Sequence, residues 1–364
     1  MHIITLNEKL QHKPTIDLPP GDYLAEDLNA AQLLLLADGG KINSVHPEEI
    51  AVRHPFDPKE DWNGKRVLVM RTGGFGDLIL MTPVLREIKR RWPDVTLDLA
   101  CFPNYRPVLE NLPYVNLAPT YPVPWLEALQ YDAWVLMENV IEKNPDAKKM
   151  HMTDLFASRF GFAAKDIADK KPEYRVTERE RIWAEEAYPR IKGVHRLAVQ
   201  FNAQVLNRTY PGQRMQVVIE HFHKLGWEIM VMGREGELQM QEGDLLHNLT
   251  AHKHTIRQSA AVIATSDCLL GPDSALLHLA GALDVPAVGI YGPFPAELRV
   301  AYSPSIQVIE GSGHCAPCFH HVRNGKQFPS HGPCASKGFC TVLDSIPVKK
   351  VIDRVTLTAK RLVD

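Results

Sequence analysis

The chain has 364 residues, of which 45% are hydrophobic and 23% are charged, and its formal net charge at pH 7 is -2. This composition excludes a largely disordered, collagen-like or coiled-coil chain, and the near-neutral charge argues against non-specific nucleic-acid binding. No apolar run approaches the ~20 residues that span a bilayer, and the N-terminus lacks the features of a signal peptide. We therefore expect a cytoplasmic protein of two domains with a small appendage.

The first 62 residues are predicted to form this appendage, with an α+β structure. The stretch His54-Pro55-Phe56-Asp57-Pro58 is typical of a linker, because prolines restrict the backbone and interrupt periodicity. No residue in the segment points to chemistry. The sequence leaves the role of residues 1–62 open, and contact with a second copy of the chain or with another partner is one candidate role.

From residue 63 onwards, short apolar runs alternate with amphipathic stretches. Predicted strands lie at 66–70, 96–101 and 131–137, a helix is expected over 82–92, and a charged helical segment at 173–192 connects to a second series. In that series, strands are expected at 196–201, 227–232, 268–271 and 286–291. Such alternation predicts βαβ units and parallel sheets. The fold class is α/β, with two Rossmann-like domains over 63–190 and 191–364.

A glycine-rich loop follows the first of these strands. Gly73, Gly74 and Gly76 let the backbone turn tightly and approach a ligand, and they precede Asp77. This carboxylate could be a helix cap in a plain turn, or a general base at the carboxyl end of a strand. The dinucleotide fingerprint G-x-G-x-x-G fails because its third position is Ile79, so a nicotinamide enzyme is a minor alternative despite an acid about 20 residues on, at position 98.

A second candidate site begins at Asp273 and Ser274, between a predicted strand and a predicted helix. Helix N-termini bind phosphate, although both residues could equally be helix caps. His278 lies one helical turn further on, as a ligand contact or a structural histidine. Arg208, in an earlier loop, is either a phosphate clamp or a solvated side chain.

Four cysteines fall in a segment over 312–341 that is rich in glycine, histidine and proline. Cys315 and Cys318 form a C-x-x-C pair, followed by Cys334 and Cys340. This pattern is typical of a tetrahedral thiolate site. We expect a structural zinc or iron ion there, and the alternative is four free thiols. The other two cysteines, at positions 101 and 268, lie in predicted strands as inert core thiols.

These segments together resemble glycosyltransferase family 9, the ADP-heptose heptosyltransferases of lipopolysaccharide core assembly. The resemblance rests on the runs V-L-V-M-R-T-G-G-F-G-D (67–77), G-P-D-S-A-L-L-H-L-A-G-A-L (271–283) and V-G-I-Y-G-P (288–293). It implies the GT-B arrangement, in which two Rossmann-like domains face each other across a cleft. It also implies inverting, metal-independent sugar transfer from an ADP-sugar, with Asp77 as the base.

The resemblance places donor binding in the second domain. The implied donor-binding residues are Arg208, Glu237, Asp273, Ser274, Ala275, Leu276 and His278. Among these, backbone amides of the 274–276 loop hold the diphosphate, Arg208 pairs with it, His278 lies near it, and Glu237 binds the ribose. Ser274-Ala275 stands where the family often has Thr-Gly, and Gly73-Gly74 replaces a small polar pair, which leaves the donor open.

The expected activity is therefore transfer of a sugar, heptose, from an ADP-sugar to an acceptor hydroxyl. A glycan or lipid-linked acceptor, met at the inner membrane face, is favoured over a protein. Two alternatives remain. One is a glycosyltransferase that uses another nucleotide sugar, or a protein or nucleic-acid acceptor. The other is a non-catalytic binding protein with the same fold.

Overall fold

The computed structural model describes residues 3–6, 10–12, 16–18, 21–24, 28, 32, 42–44, 56–118, 121–141, 144–239, 241–319 and 339–360. Contacts between residues divide the chain into two compact units, Met1–Lys170 and Lys171–Asp364.

Five short strands are described before residue 56. They are β1 (Ile3–Leu6), β2 (Leu10–His12), β3 (Ile16–Leu18), β4 (Gly21–Leu24) and β5 (Ile42–Ser44). Strand β1 pairs antiparallel with both β4 and β5, and β2 pairs antiparallel with β3. Antiparallel pairing of this kind separates the segment from the parallel sheets that follow it.

The remainder of the first unit contains a four-stranded parallel sheet. Its strands are β6 (Arg66–Met70), β7 (Thr96–Ala100), β8 (Asn116–Leu117) and β9 (Ala133–Leu136), in the order β8-β7-β6-β9. The helices are α1 (Phe75–Arg91), α2 (Trp125–Ala128) and α3 (Met152–Arg159), with 3-10 turns at Pro103–Val108, Pro145–Lys148 and Ala164–Asp166. Residues 67–70 of β6 are fully buried, as expected for a parallel strand covered on both faces.

Asp98, in β7, is a structural residue. Its Oδ2 accepts hydrogen bonds from Arg66 Nη2 at 2.9 Å and from the Tyr131 hydroxyl at 2.8 Å, and its Oδ1 accepts one from Asn116 Nδ2 at 3.0 Å. The side chain is buried. Because both oxygens are occupied by neighbouring residues of the sheet, the carboxylate has a role in holding the sheet together, and this weakens the nicotinamide alternative further.

The second unit is built on a six-stranded, wholly parallel sheet. Its strands are β10 (Arg196–Gln200), β11 (Glu228–Met232), β12 (Leu246–Asn248), β13 (Cys268–Pro272), β14 (Ala287–Tyr291) and β15 (Ile306–Glu310), in the order β12-β11-β10-β13-β14-β15. The helices are α4 (Glu178–Ala187), α5 (Gly212–Lys224), α6 (Ile256–Ala264), α7 (Ala275–Ala282), α8 (Glu297–Val300), α9 (Thr341–Asp344) and α10 (Val348–Lys360), with 3-10 turns at Leu206–Arg208 and Leu249–Ala251.

Helix α4 belongs to the second unit. Glu180 in its first turn accepts a hydrogen bond from Arg257 Nη2 of α6 at 2.7 Å and another from the backbone N–H of Thr177 at 2.8 Å. The division by contacts thus falls before α4, and the boundaries at 62/63 and 190/191 remain a prediction. Within the ranges that the structure describes, no helix has the length and apolar character needed to cross a membrane.

Candidate active site

In both parallel sheets, the direction in which the strand order grows reverses beside the first strand. In the first sheet, β7 and β8 extend to one side of β6 and β9 lies on the other. In the second sheet, β11 and β12 extend to one side of β10, and β13 begins the other side. Open α/β sheets bind ligands outside the carboxyl ends of the strands at such a reversal. Asp77 follows β6 and Ser274 follows β13, so both predicted loops lie at these positions.

Asp77 lies in the first turn of α1 and is held by Arg71. Nη2 of Arg71 donates a hydrogen bond to Asp77 Oδ2. The guanidinium is itself fixed, because Nη1 donates to the carbonyl of Met137 at 2.5 Å and Nε to that of Gly73 at 3.1 Å. Asp77 Oδ1 has no hydrogen-bond partner among the described residues, and the side chain is 29% exposed. One oxygen is thus anchored and the other is available.

Steric constraints explain why glycine stands at positions 73 and 74 of this loop. A Cβ atom at Gly73 would lie 2.1 Å from Cε2 of the Tyr105 ring. Gly74 has a φ of 97°, and a Cβ atom there would lie 2.5 Å from Asp77 Oδ2. Gly74 is also the residue before α1, which begins at Phe75, and Gly76 is the second residue of the helix. No side chain caps this helix end, so the interpretation of Asp77 as a cap is wrong.

Two residues that contact Asp77 or the loop before it could not be found from the sequence. Arg71 stands inside the quoted motif, but nothing in the spacing shows that its side chain turns back to Asp77. Glu138 follows β9, and its Oε1 accepts a hydrogen bond from the backbone N–H of Thr72. This contact joins the loops after β6 and β9, which are 66 residues apart in the chain, and no local pattern signals it.

Asp273 is the centre of the candidate site in the second unit. It is buried and accepts a hydrogen bond from Arg208 Nη1 at 3.2 Å, while the same nitrogen donates to the Asp273 carbonyl at 2.9 Å. His278 Nε2 lies 3.7 Å from Oδ1, and Arg299 Nε lies 4.0 Å from Oδ2. Burial raises the pKa of this carboxyl, but the charges of Arg208, Arg299 and His278 outweigh it, so the pKa lies below its usual value.

Ser274 lies at the N-terminus of α7 without capping it. The residue is extended, and its hydroxyl accepts a hydrogen bond from Gln200 Nε2, at the end of β10, at 2.9 Å. The interpretation of Ser274 as a side-chain cap is therefore wrong. Among the described residues, the N–H groups of Ala275 and Leu276 have no hydrogen-bond partner. Unpaired amides at the positive end of a helix dipole are suited to an anion.

Glu237 lies in the loop that follows β11. Its Oε2 accepts a hydrogen bond from the N–H of Arg234 at 2.9 Å. A Cβ atom at Gly233 would lie 2.2 Å from the same oxygen, so the carboxylate fits closely over this turn. Oε1 has no partner within the part of the chain that the structure describes. Like Asp77, Glu237 has one anchored oxygen and one that is available to a ligand.

Sequence reasoning also missed Arg299 and Phe294. The Phe294 ring centroid lies 4.8 Å from the guanidinium of Arg299 and 6.0 Å from that of Arg208. Both guanidinium groups are therefore within cation–π distance of the same ring. No local sequence signal points to this arrangement, because Arg208 is about ninety residues away from the other two.

The predicted metal ligands are only partly described. Cys340 is buried in the core of the second unit, Cys315 packs against the same core, and Cys318 is half-buried. Cys334 lies outside the described residues. Among the residues that are described, no group of three or more histidine, cysteine or acidic side chains is placed to hold a metal ion. The metal site therefore stays a prediction.

The remaining cysteines lie in the core. Burial raises the pKa of the Cys101 thiol to about 11, and burial raises that of Cys268 as well. Both thiols are therefore protonated and poorly reactive near neutral pH.

Comparison with known proteins identifies the family. Residues 129–328, more than half of the chain, match glycosyltransferase family 9 (heptosyltransferase). The chain is 23% identical over 339 residues to lipopolysaccharide heptosyltransferase 2 of Salmonella typhimurium, with 71% of this chain and 91% of that protein covered.

Solved structures show the same fold. The E. coli ADP-heptose lipopolysaccharide heptosyltransferase II matches with a TM-score of 0.63 and 15% identity over 82% of this chain and all of that one. The dodecameric, iron-containing heptosyltransferase TibC in complex with ADP-D-beta-D-heptose matches with a TM-score of 0.61 and 14% identity over 100% of this chain and 92% of that one.

The architecture is therefore that of a GT-B glycosyltransferase with two Rossmann-like domains, as expected from the sequence. The chain belongs to glycosyltransferase family 9 and is a glycosyltransferase of the heptosyltransferase type.

Proposed function

We propose that the protein transfers a heptosyl group from ADP-heptose to an acceptor hydroxyl, with inversion at the anomeric carbon. The relatives support the sugar, because they are named as heptosyltransferases, and one of them, TibC, has been solved in complex with an ADP-heptose. Within this chain, the observation that carries the proposal is the group of cations and unpaired amides around Asp273 and the start of α7.

The donor diphosphate would bind at this group. The amides of Ala275 and Leu276 face outward from the helix end, and Arg208 lies beside them through its two contacts with Asp273. Helix N-termini and guanidinium groups are strong anion ligands. Gln200 Nε2 donates a hydrogen bond to the Ser274 hydroxyl and so holds the serine side chain in place. The hydroxyl proton of Ser274 would then be donated to a phosphate oxygen.

The rest of the donor would be read by Glu237. Its available oxygen, Oε1, suits a ribose hydroxyl, since an ionised carboxylate accepts hydrogen bonds from neutral donors strongly. The loop that presents it follows β11, two strands from β13 in the same sheet. The ribose contact and the diphosphate contact would then lie on the same carboxyl edge.

Asp77 would act as the general base. As the acceptor oxygen attacks the anomeric carbon, its proton passes to Asp77 Oδ1, and the bond between that carbon and the diphosphate oxygen breaks. The electron pair of that bond leaves with ADP. Arg71 keeps the other oxygen, Oδ2, in place through its hydrogen bond, so that Oδ1 is left to take the proton.

Charge develops on the departing diphosphate as the glycosidic bond breaks. The amides of α7 and Arg208 are already in place to meet this charge, so they need little reorganisation in the transition state. Attack from the face opposite to the leaving group accounts for the inversion.

The acceptor proposed here is a glycan or a lipid-linked sugar, as the named lipopolysaccharide enzymes suggest. Contact between copies of the chain through residues 1–62 is proposed alongside it. TibC is a dodecameric, iron-containing enzyme. Its iron supports iron as an alternative to zinc for the structural ion proposed at Cys315, Cys318, Cys334 and Cys340.

Mass spectrometry of acceptors tests the proposal. The purified protein is incubated with ADP-heptose, with UDP-glucose or with no donor, and with lipopolysaccharide core or a protein acceptor. A heptose added to the glycan only in the presence of ADP-heptose is expected. Transfer from UDP-glucose alone, or to the protein alone, would favour the alternative glycosyltransferases. Binding of ADP without any product would favour a non-catalytic protein. The variant Asp77→Asn gives the background.

A further inference from the structure

Arg299 lies in the short helix α8 and takes no part in the reaction proposed above. Its side chain is buried, stacks on Phe294 at 4.8 Å, and brings Nε to 4.0 Å from Asp273 Oδ2. Burying a guanidinium is costly unless it is paired and hydrogen-bonded. A buried arginine that shares its ion-pair partner with another arginine therefore calls for a physical reason.

The charges in this group do not balance. Arg208 and Arg299 both approach the single carboxylate of Asp273, and His278 approaches it too. Glu310, on the neighbouring strand β15, is exposed and accepts a hydrogen bond from the Ala296 N–H at 2.7 Å. The group therefore carries an excess of positive charge.

Two nitrogen atoms of this group also lack partners. Nη1 of Arg299 and Nε of Arg208 are buried and have no hydrogen-bond partner within the described residues. The hydroxyl of Tyr291, at the end of β14, is likewise buried without one. Around the buried side chains of Asp273 and Arg299, charges interact more strongly than they do in water.

We propose that Arg299 is a positioning residue of the donor site, which shares Asp273 with Arg208 and thereby leaves positive charge on Arg208 for the donor diphosphate. This rests on the proposed function. Without Arg299, the carboxylate of Asp273 would be compensated mainly by Arg208, and the net field at the start of α7 would fall. Because its side chain is only 7% exposed, Arg299 is expected to act on the diphosphate through Asp273 and Arg208.

A purely structural role for Arg299 leads to a different expectation. If the side chain served only to pack against Phe294, its loss would lower stability and would affect ADP and adenosine alike. A role through charge affects ADP, which carries the diphosphate, and spares adenosine. It is also preserved by lysine, which keeps the charge but loses the planar stack.

Calorimetric titration of the full chain with ADP and with adenosine separates the two. For Arg299→Gln, the dissociation constant of ADP is expected to rise about tenfold, as for loss of one nearby charge of low exposure, with that of adenosine unchanged. Arg299→Lys should remain within about threefold of the wild type, because the cation is kept. The matched control is Arg257→Gln, which removes a mostly buried arginine paired with Glu180 elsewhere in the same unit.

Four results of these titrations would overturn one of the two proposals. Equal weakening of ADP and adenosine, no weakening of ADP, or an Arg299→Lys variant as weak as Arg299→Gln would overturn the proposal. If Arg299→Gln does not fold, Arg299→Met, which keeps the stem against Phe294, must show the same difference; failure of both to fold makes the role structural and overturns the proposal. A wild-type protein that does not bind ADP would instead overturn the proposed function.

Discussion

Arg71 and Asp77 form an ion pair across the loop that joins β6 to α1, and this pair holds the carboxylate at the carboxyl edge of the first sheet. Arg71 is 5% exposed and Asp77 is 29% exposed. The arginine is thus part of the protein interior, whereas the carboxylate reaches solvent. A fixed carboxylate with one available oxygen is the arrangement that a general base requires.

Replacing Asp77 by asparagine should remove catalysis and leave donor binding intact. Loss of a general base typically lowers the rate by about 10²–10⁴-fold, and ADP binds to the other unit in our proposal. Turnover and the ADP dissociation constant are measured on the same preparation. Asp94→Asn, which removes an exposed carboxylate of the first unit, is the control. Wild-type turnover in Asp77→Asn would remove Asp77 from the mechanism.

Gly74→Ala should lower both stability and turnover. A residue with a side chain is strained at a positive φ by about 1–2 kcal/mol, and here the new methyl group would also displace Asp77 Oδ2. Gly64 gives a close control, because its φ is 75° and a Cβ atom there would meet nothing within 4 Å. Gly64→Ala should therefore lose comparable stability and keep its turnover. If the two variants lose turnover equally, the contact with Asp77 is not the cause.

Glu228→Gln should destabilise the second unit. Glu228 is buried and accepts hydrogen bonds from Arg196 Nε at 2.7 Å and from Arg196 Nη2 at 3.1 Å. Removing its charge leaves a buried guanidinium without compensation, at a cost of about 3–5 kcal/mol. Urea unfolding measures this loss. Glu220→Gln, which removes an exposed partner of Lys224, should change stability by less than about 1 kcal/mol.

The same carboxylate makes stability depend on pH. Burial raises the pKa of Glu228, but His247 and Arg196 together lower it below its ordinary value of 4.5. The unfolded state therefore binds a proton more readily than the folded state. This contribution is fully present above pH 4.5 and is lost as the pH falls through the folded pKa. The free energy of unfolding is measured between pH 7 and pH 3 for the wild type and for Glu228→Gln. The variant should lose part of the decrease in stability towards low pH, and a pH profile identical to that of the wild type would contradict this prediction.

The cysteine segment is tested by elemental analysis of protein purified without added metal. One equivalent of zinc or iron is expected, since four thiolates at this spacing suit a tetrahedral ion. Cys315→Ser should lower metal content and stability together, because binding of a structural metal contributes to folding. Cys101→Ala, in the core of the first unit, should leave the metal content unchanged. Less than a tenth of an equivalent of metal, with four thiols reacting freely, would contradict the prediction.

The parallel strands could be predicted because each is a short, continuous apolar run, but the start of α1 could not. The sequence predicts a helix from Thr82, whereas α1 begins at Phe75 and passes through Pro83. Pro83 cannot donate to the carbonyl of Ile79, and the hydroxyl of Thr82 donates to that carbonyl instead, at 2.7 Å. This local repair lets the helix continue where proline and glycine favour a loop.

The candidate site shows the same limit at longer range. Asp77, Arg208 and Ser274 could be selected because the sequence puts each of them just after a predicted strand or just before a predicted helix, where the chemistry of the residue type is informative. Glu138 and Arg299 could not, because their roles depend on contacts with residues far away in the chain. Within each sheet, the strand order brings these loops beside one another, and no local pattern encodes that order.

The central claim is that the second unit holds the donor by its diphosphate, and titration of Arg208→Ala with ADP and with adenosine tests it most directly. Loss of a hydrogen bond to a charged group costs about 1.5–3 kcal/mol, so the ADP dissociation constant should rise about 10–100-fold. The adenosine dissociation constant should stay at its wild-type value, because adenosine carries no phosphate. Equal weakening of both ligands, or unchanged binding of ADP, would contradict the account.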